Sequence, residues 1–270
     1  MVACCLPPPP NVIAGNAMGA KSTIEWTDAT WNPVAGCSKV SPGCAHCYAE
    51  RLSLRFGQSP APWIPANAIE NVVLHEERLL VPLTWRQPKM IFVNSMSDLY
   101  HELVPDEFIG RVFETMQRAS HHTYQVLTKR PERMLDWFRG DVGRPWGETL
   151  LPNVWLGTSI ENDRWVSRAD ALRQTPAAVR FVSAEPLLGP LPSLDLTGID
   201  WLIVGGESGS SHRPMDLEWA REIRDKCQRA ETAFFFKQLG TSLARSFNSR
   251  DRKGIHPEDW PDDLRLREMP

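Results

Sequence analysis

The sequence predicts an α/β protein built on a parallel (β/α) barrel, partial or complete, and three observations predict it. Short β-rich runs alternate with helical patterns along the chain, as parallel strands joined by crossover helices require. Several runs, MIFV, WLIV and AFFF among them, are apolar throughout, which suits strands covered on both faces. Polar residues then close the runs: NSMSD, TKR, SIEN, SAEP, GGES and KQ follow six of them. In a parallel barrel such strand ends share one face, where loops assemble a site above a packed interior. A doubly wound open sheet gathers ligands at the same ends, so this pattern alone does not separate the two, and the barrel is the expectation.

Strands are expected at residues 23–31, 90–94, 124–128, 154–159, 179–183, 201–204 and 233–236. Between them, residues 47–56, 105–119, 131–138, 164–173 and 217–229 fit helices, through apolar spacing or an early proline. Residues 57–88 are rich in proline and read as an insertion with a short helix near Glu76, or as extra cover for the barrel. Residues 1–20 open MVACCLPPPP, a composition that cannot form a helix or bury much surface, and read as a flexible tail. Met18 is then an alternative start, and Cys4 and Cys5 are incidental. The expected division is a tail at 1–20, one domain at 21–240 and a surface extension at 241–270, anchored at most by Trp260.

A chain of 270 residues fits this plan, since α/β barrels reach about 250 residues as one unit. The formal charge of −3 argues against the broad basic coat of a protein that covers nucleic acid, and leaves room for a local basic groove. No apolar run approaches the roughly 20 residues that span a bilayer, and the N-terminus lacks a charged-then-apolar signal, so a cytoplasmic protein with no membrane contact is expected.

The chemistry is concentrated in WNPVAGCSKVSPGCAHCYAE. Cys37, Cys44 and Cys47 lie within eleven residues, bent together by Gly36, Pro42 and Gly43, and such crowding in a reducing compartment suggests metal binding more than disulfides. Thiolates suit zinc or iron–sulfur clusters. Structural zinc takes four protein ligands, whereas His46 adjoins Cys47 and is awkward for the same ion, and His75, His101 and Cys227 are remote in sequence. Three thiolates instead fit a 4Fe-4S cubane with one open iron. The alternative is a zinc-stabilised nucleic-acid-binding or interaction protein without catalysis. Cys227 reads as core, His121 and His122 as loop residues, and no P-loop, HExxH or Ser-His-Asp signature is present.

The segments IEWTDATWNP, GC followed by CAHCYAE, LTKRPERM, VWLGTSIEN, FVSAEPLLGP, WLIVGGESG and FFFKQLG, spread over residues 22–240, closely resemble an uncharacterised bacterial and phage-associated family with a three-cysteine motif. That family is similar to the radical S-adenosylmethionine superfamily, of which it looks like a divergent relative. The resemblance implies a barrel of the radical-SAM type, a 4Fe-4S cluster on Cys37, Cys44 and Cys47, and S-adenosylmethionine bound at the open iron and cleaved reductively to a 5′-deoxyadenosyl radical. It also implies an electron donor such as flavodoxin or ferredoxin. Six residues separate the first two cysteines here, where the superfamily commonly has three, and His46 takes the place of an aromatic before the third.

Under this resemblance the strand ends become cofactor contacts. Gly205, Gly206 and Glu207 form a shelf where glycines admit close backbone approach and the carboxylate binds an amine or hydroxyl. The superfamily places such a Gly-Gly-Glu motif after its second strand; here that position holds Asn94, Ser95, Ser97 and Asp98, which could take over the amine contact. Glu161 and Asn162 are candidates for ribose hydroxyls, and Glu185 for an amine or for orienting a base. Lys129, Arg130, Lys237 and Gln238 are candidates for the substrate, the cations attracting a carboxylate or phosphate. Phage association, TKRPER and abundant tryptophan make nucleic-acid modification or repair the candidate activity, with an extruded or single-stranded base at the barrel mouth.

Overall fold

The continuous apolar runs become strands, as their two-sided burial requires. The structure is a computed structural model describing residues 22–270; the tail expected over residues 1–20, with Cys4 and Cys5, lies outside the described residues. In chain order the strands are β1 (Ala29–Trp31), β2 (Val34–Ala35), β3 (Val73–Leu74), β4 (Met90–Val93), β5 (Thr123–Thr128), β6 (Val154–Ser159), β7 (Val179–Ala184), β8 (Trp201–Gly205) and β9 (Ala233–Gln238). The helices are α1 (Tyr48–Arg55), α2 (Ala68–Asn71), α3 (Asp106–Arg118), α4 (Pro131–Arg139), α5 (Arg144–Thr149), α6 (Arg168–Gln174), α7 (Leu217–Ala230) and α8 (Gly240–Ser246). Seven strands form one parallel sheet in the order β1-β4-β5-β6-β7-β8-β9, curled into a half-barrel and flanked by helices. The expected partial barrel is therefore the architecture. Among the described residues no helix is long and apolar enough to cross a membrane.

Alternation along each strand divides the sheet into two apolar layers. Outward residues such as Ile91, Tyr124, Val126, Leu156, Val182, Val204 and Phe236 pack on Ile109, Val112, Met134, Leu172 and Ile223 of the helices. Inward residues Phe92, Phe181, Trp201, Ile203 and Phe235 form a second cluster containing no helix residue, and Trp26 joins it. The Trp26 ring lies 4.8 Å from Phe92 and meets Trp201 edge-on at 6.0 Å, closing one end of the half-barrel.

That role for Trp26 corrects the first expected strand. Of residues 23–31, only Ala29–Trp31 pairs with the sheet; the stretch before it turns so that Trp26 reaches the interior, with the Thr27 hydroxyl donating to the Met90 carbonyl at 2.8 Å. The helix expected at 164–173 begins at Arg168, because Asn162 first caps a short turn over Asp163–Trp165. In the proline-rich insertion the short helix near Glu76 is a single 3-10 turn, Glu76–Arg78. The insertion also returns β3 to pair antiparallel with β2, a strand too short for periodicity to reveal.

The C-terminal segment is tied down by more than Trp260. The Phe236 amide donates to the Leu266 carbonyl at 2.9 Å and the Glu268 amide to that of Phe234 at 3.0 Å, so the tail covers the free edge of β9. Trp260 is 2% exposed, packs edge-on against Phe236 at 4.8 Å, and donates from its indole to the Gly254 carbonyl. Replacing Trp260 with alanine is expected to cost about 3 to 5 kcal/mol, as for other large buried aromatics. Urea denaturation measures this, and an unchanged midpoint would show the segment to be a loose appendage.

Candidate active site

The cysteine loop leaves the β2 end of the hairpin and crosses the mouth of the half-barrel before entering α1. Gly36 holds φ +80°, and a Cβ there would overlap the Asn71 carbonyl, so only glycine lets the chain turn into Cys37 at this point. Its amide donates to the Met96 carbonyl at 3.1 Å, fastening the loop to the end of β4. Pro42–Cys44 form a 3-10 turn, and Cys47 is the residue preceding α1, one position before the expected helix start becomes helical.

The loop has little regular structure, and buried charge holds it at three points. Near Cys37, Arg130 reaches out from the end of β5. Its Nη1 lies 3.6 Å from the Cys37 sulfur, and its Nη2 donates to the Ser38 hydroxyl at 3.0 Å and the Ser38 carbonyl at 3.2 Å. The same guanidinium pairs with Asp98 at 3.1 Å and Glu102 at 2.8 Å. Asp98 is filled by this contact together with the Thr128 hydroxyl and the Lys129 and Tyr100 amides. His101 adds Nε2 against the Ser38 hydroxyl at 2.9 Å, while its Nδ1 accepts from the Leu103 amide.

Beneath Cys44 the support is Glu161, which is fully buried. It accepts from the Ser41 hydroxyl and pairs with Arg168 at 3.2 Å, and a Cβ on Gly43 would collide with its carboxylate. Near Cys47 the support is Glu207, which faces His46 Nδ1 at 3.2 Å and accepts from the Arg213 backbone at 2.7 Å and guanidinium Nε at 2.9 Å. Arg213 in turn donates to the Pro42 carbonyl at 3.0 Å. Burial works against the charge on Glu207, but the Arg213 and His46 contacts outweigh it and hold its carboxyl below the usual range.

Burial pushes the Cys37 thiol up to about 12, with Asp98 adding to the effect and Arg130 opposing it. Cys47 is raised as well, again by burial, against the backbone N–H groups of Glu50 and Ala49 and the Lys129 ammonium. Both thiols keep their protons near neutral pH until a metal or an electrophile displaces them. Lys129 is half-buried beside Cys44, Glu161 and Cys47; desolvation disfavours its charge, and these three neighbours more than restore it.

The remaining strand-end residues divide between the interior and the rim. Facing inward, Lys129 Nζ donates to the Ser159 hydroxyl at 3.1 Å, and Lys237 Nζ grips both oxygens of Glu185 at 2.6 and 2.8 Å. Asn94, at φ +60°, accepts from the Val34 amide, and its buried Nδ2 has no partner among the described residues. Tyr48 spans the mouth above, its hydroxyl donating to the Ser95 carbonyl at 2.6 Å. Elsewhere the expected contacts are spent on the fold. Ser95 binds Asn32, Ser97 binds the Val34 carbonyl, and Asn162 caps Arg164. Gln238 donates to the Gly206 carbonyl, while Gly205 lies beside Glu185 and Gly206 admits the backbone of Leu239.

The structure thus brings Cys37, Cys44 and Cys47 together with Lys129, Arg130, Glu161 and Glu207, and sets Glu185 with Lys237 inside the barrel. The bracing partners Ser38, Ser41, His101, Arg168 and Arg213 were not among the expected site residues. Nothing in their spacing marks them, although Ser38 and Ser41 lie within the cysteine loop. Among the described residues no three His, Cys, Asp or Glu side chains converge tightly enough to hold a single ion.

Residues 21–259 match the family model described as "Protein of unknown function (DUF5131)". No curated protein and no solved structure matches the chain.

Glu161→Gln leaves the Arg168 guanidinium buried without its counter-charge, so a loss of about 3 to 5 kcal/mol is expected on unfolding. The loop thiols of the folded variant should also react faster with a thiol reagent than those of the parent. Unaltered stability together with unaltered thiol reactivity would remove Glu161 from its bracing role.

Proposed function

The chain belongs to the DUF5131 family of proteins of unknown function, and we propose that in it Cys37, Cys44 and Cys47 hold a site-differentiated 4Fe-4S cluster that serves S-adenosylmethionine. The observation that carries this reading is the donor set. Three thiols stand on one braced loop, with His101 held at both ring nitrogens by Ser38 and Leu103, Glu161 held by Ser41 and Arg168, and His46 committed through Nδ1 to Glu207. Cys227 is buried in the helical layer, and His75 pairs with Glu77. A structural zinc site would need a fourth protein ligand, such as His46 Nε2, whereas three thiolates and an open iron need none.

The surroundings fit a polynuclear anion. Lys129 and Arg130 bring two cations to the sulfurs, and the start of α1 adds backbone N–H groups beside Cys47. When bound, such a cluster supplies one electron at low potential to the sulfonium of S-adenosylmethionine. The chain's own residues then bind and shelter. Inside the barrel the Glu185–Lys237 pair offers both signs of charge to a zwitterionic or hydroxylated ligand, and Asn94 Nδ2 offers a free amide donor. Tyr48 limits water entry across the mouth, and the aromatic floor of Trp26, Phe181 and Trp201 closes the other end. A half-barrel of the radical-SAM type, a cytoplasmic setting, a small electron donor such as flavodoxin or ferredoxin, and a nucleic-acid substrate go with this reading.

Anaerobic reconstitution tests it. The parent chain is expected to bind iron and labile sulfide and, once reduced with S-adenosylmethionine, to release 5′-deoxyadenosine. Cys37→Ser, Cys44→Ser and Cys47→Ser should each drop iron to background, because each removes one of only three ligands. Zinc alone in the parent, or full iron in all three variants, overturns the assignment.

A further inference from the structure

Beside the cysteine loop, and outside the barrel interior, a cleft of about 350 Å³ opens between Val40, the start of α4 and the loop that follows β6. Its size falls within the range of pockets that take small ligands, about 300 to 1,000 Å³. Lys129, Arg130, Arg133, Arg164 and Arg168 line it, against only two carboxylates, Glu102 and Glu132. Three of the arginines already have acidic partners: Arg130 has Asp98 and Glu102, Arg133 has Asp106, and Arg168 has Glu161. Lys129 has a hydroxyl as its hydrogen-bond acceptor, and the Arg164 guanidinium has no acceptor among the described residues. Counting Asp98, Asp106 and Glu161 behind the wall with Glu102 and Glu132 on it, carboxylates match the five cations in number, so what the cleft offers a ligand is the unpartnered Arg164 guanidinium beside cations already in place.

A second observation is independent of the charges. Trp165 also lines the cleft, and its indole N–H is buried without an acceptor among the described residues. The Arg168 guanidinium lies 4.2 Å over its ring and fixes the indole in place. A buried donor left unpaired is costly, and an acceptor oxygen that reached it would recover that cost. The first turn of α4, a nine-residue helix, contributes its positive dipole end to the same space.

We propose that this cleft binds a phosphate group, carried on a free nucleotide or on a nucleic-acid strand. Phosphate suits it on three counts: it offers several acceptor oxygens, its geometry matches guanidinium forks, and its charge answers the unpartnered guanidinium of Arg164. The adjacent cysteine loop would place a ligand anchored here next to the barrel mouth.

The binding test uses the metal-free full chain, so its failure is distinct from failure of the cluster assignment, which iron content decides separately. Calorimetry with inorganic phosphate, adenosine monophosphate and a short oligothymidylate is expected to show binding of at least one probe. Arg164→Ala should weaken it about tenfold, the equivalent of one charge-assisted hydrogen bond, with partial recovery in Arg164→Lys. An oligonucleotide that binds more tightly than the monophosphate and weakens steeply with salt assigns a strand, while equal affinity assigns a free nucleotide. Absence of binding by all three probes, or affinity indifferent to Arg164→Ala, overturns the proposal.

Discussion

The loop that carries Cys37, Cys44 and Cys47 has almost no secondary structure to fix it and depends on buried charge drawn from the strand ends below. Asp98, Glu161 and Glu207 sit at the ends of three different strands, and Arg130, Arg168 and Arg213 transmit their charge to the loop backbone or hold them in place. Removing one member of such a pair leaves the other desolvated and alone, which is why these contacts tolerate little change. The curl of the parallel sheet makes the arrangement feasible: it turns residues separated by more than a hundred positions toward one face.

The sheet itself was legible because its strands are buried on both sides. Runs such as MIFV, WLIV and AFFF have no room for alternation with polar residues, and each became a strand within a residue or two of its expected limits. Where burial is achieved another way, the pattern misleads. Residues 23–28 carry strand-like composition because Trp26 must reach the barrel floor, and that burial comes through a turn. The hairpin of β2 and β3 was invisible for the opposite reason. Two residues per strand give no period, and what fixes the pairing is the close approach of Gly36 to Asn71 across it.

The site was legible in its atoms more than in its bonds. Three cysteines in eleven residues announce themselves, and polar strand ends announce the mouth. Sequence does not say which of those polar groups remain free for a ligand, because that depends on partners chosen in three dimensions. Glu161 and Glu207 were expected to face a cofactor, and both lie under the cysteine loop with their oxygens occupied. Glu185 and Lys237, fifty-two positions apart, meet across the interior. Arg168 and Arg213 carry no local signal, since an arginine at a helix start or in a loop is common on any surface.

The distribution of charge around the sulfurs separates two tasks that the same face could perform. Deep in the mouth every carboxylate named has a cation, and burial raises the Cys37 and Cys47 thiols. At the rim the Arg164 guanidinium has no acceptor among the described residues, and Lys129 is shared between the two regions: its ammonium touches the Ser159 hydroxyl inside, and its side chain lines the outer cleft. A negatively charged ligand in the cleft and an anionic centre on the cysteines would both draw on that one half-buried ammonium.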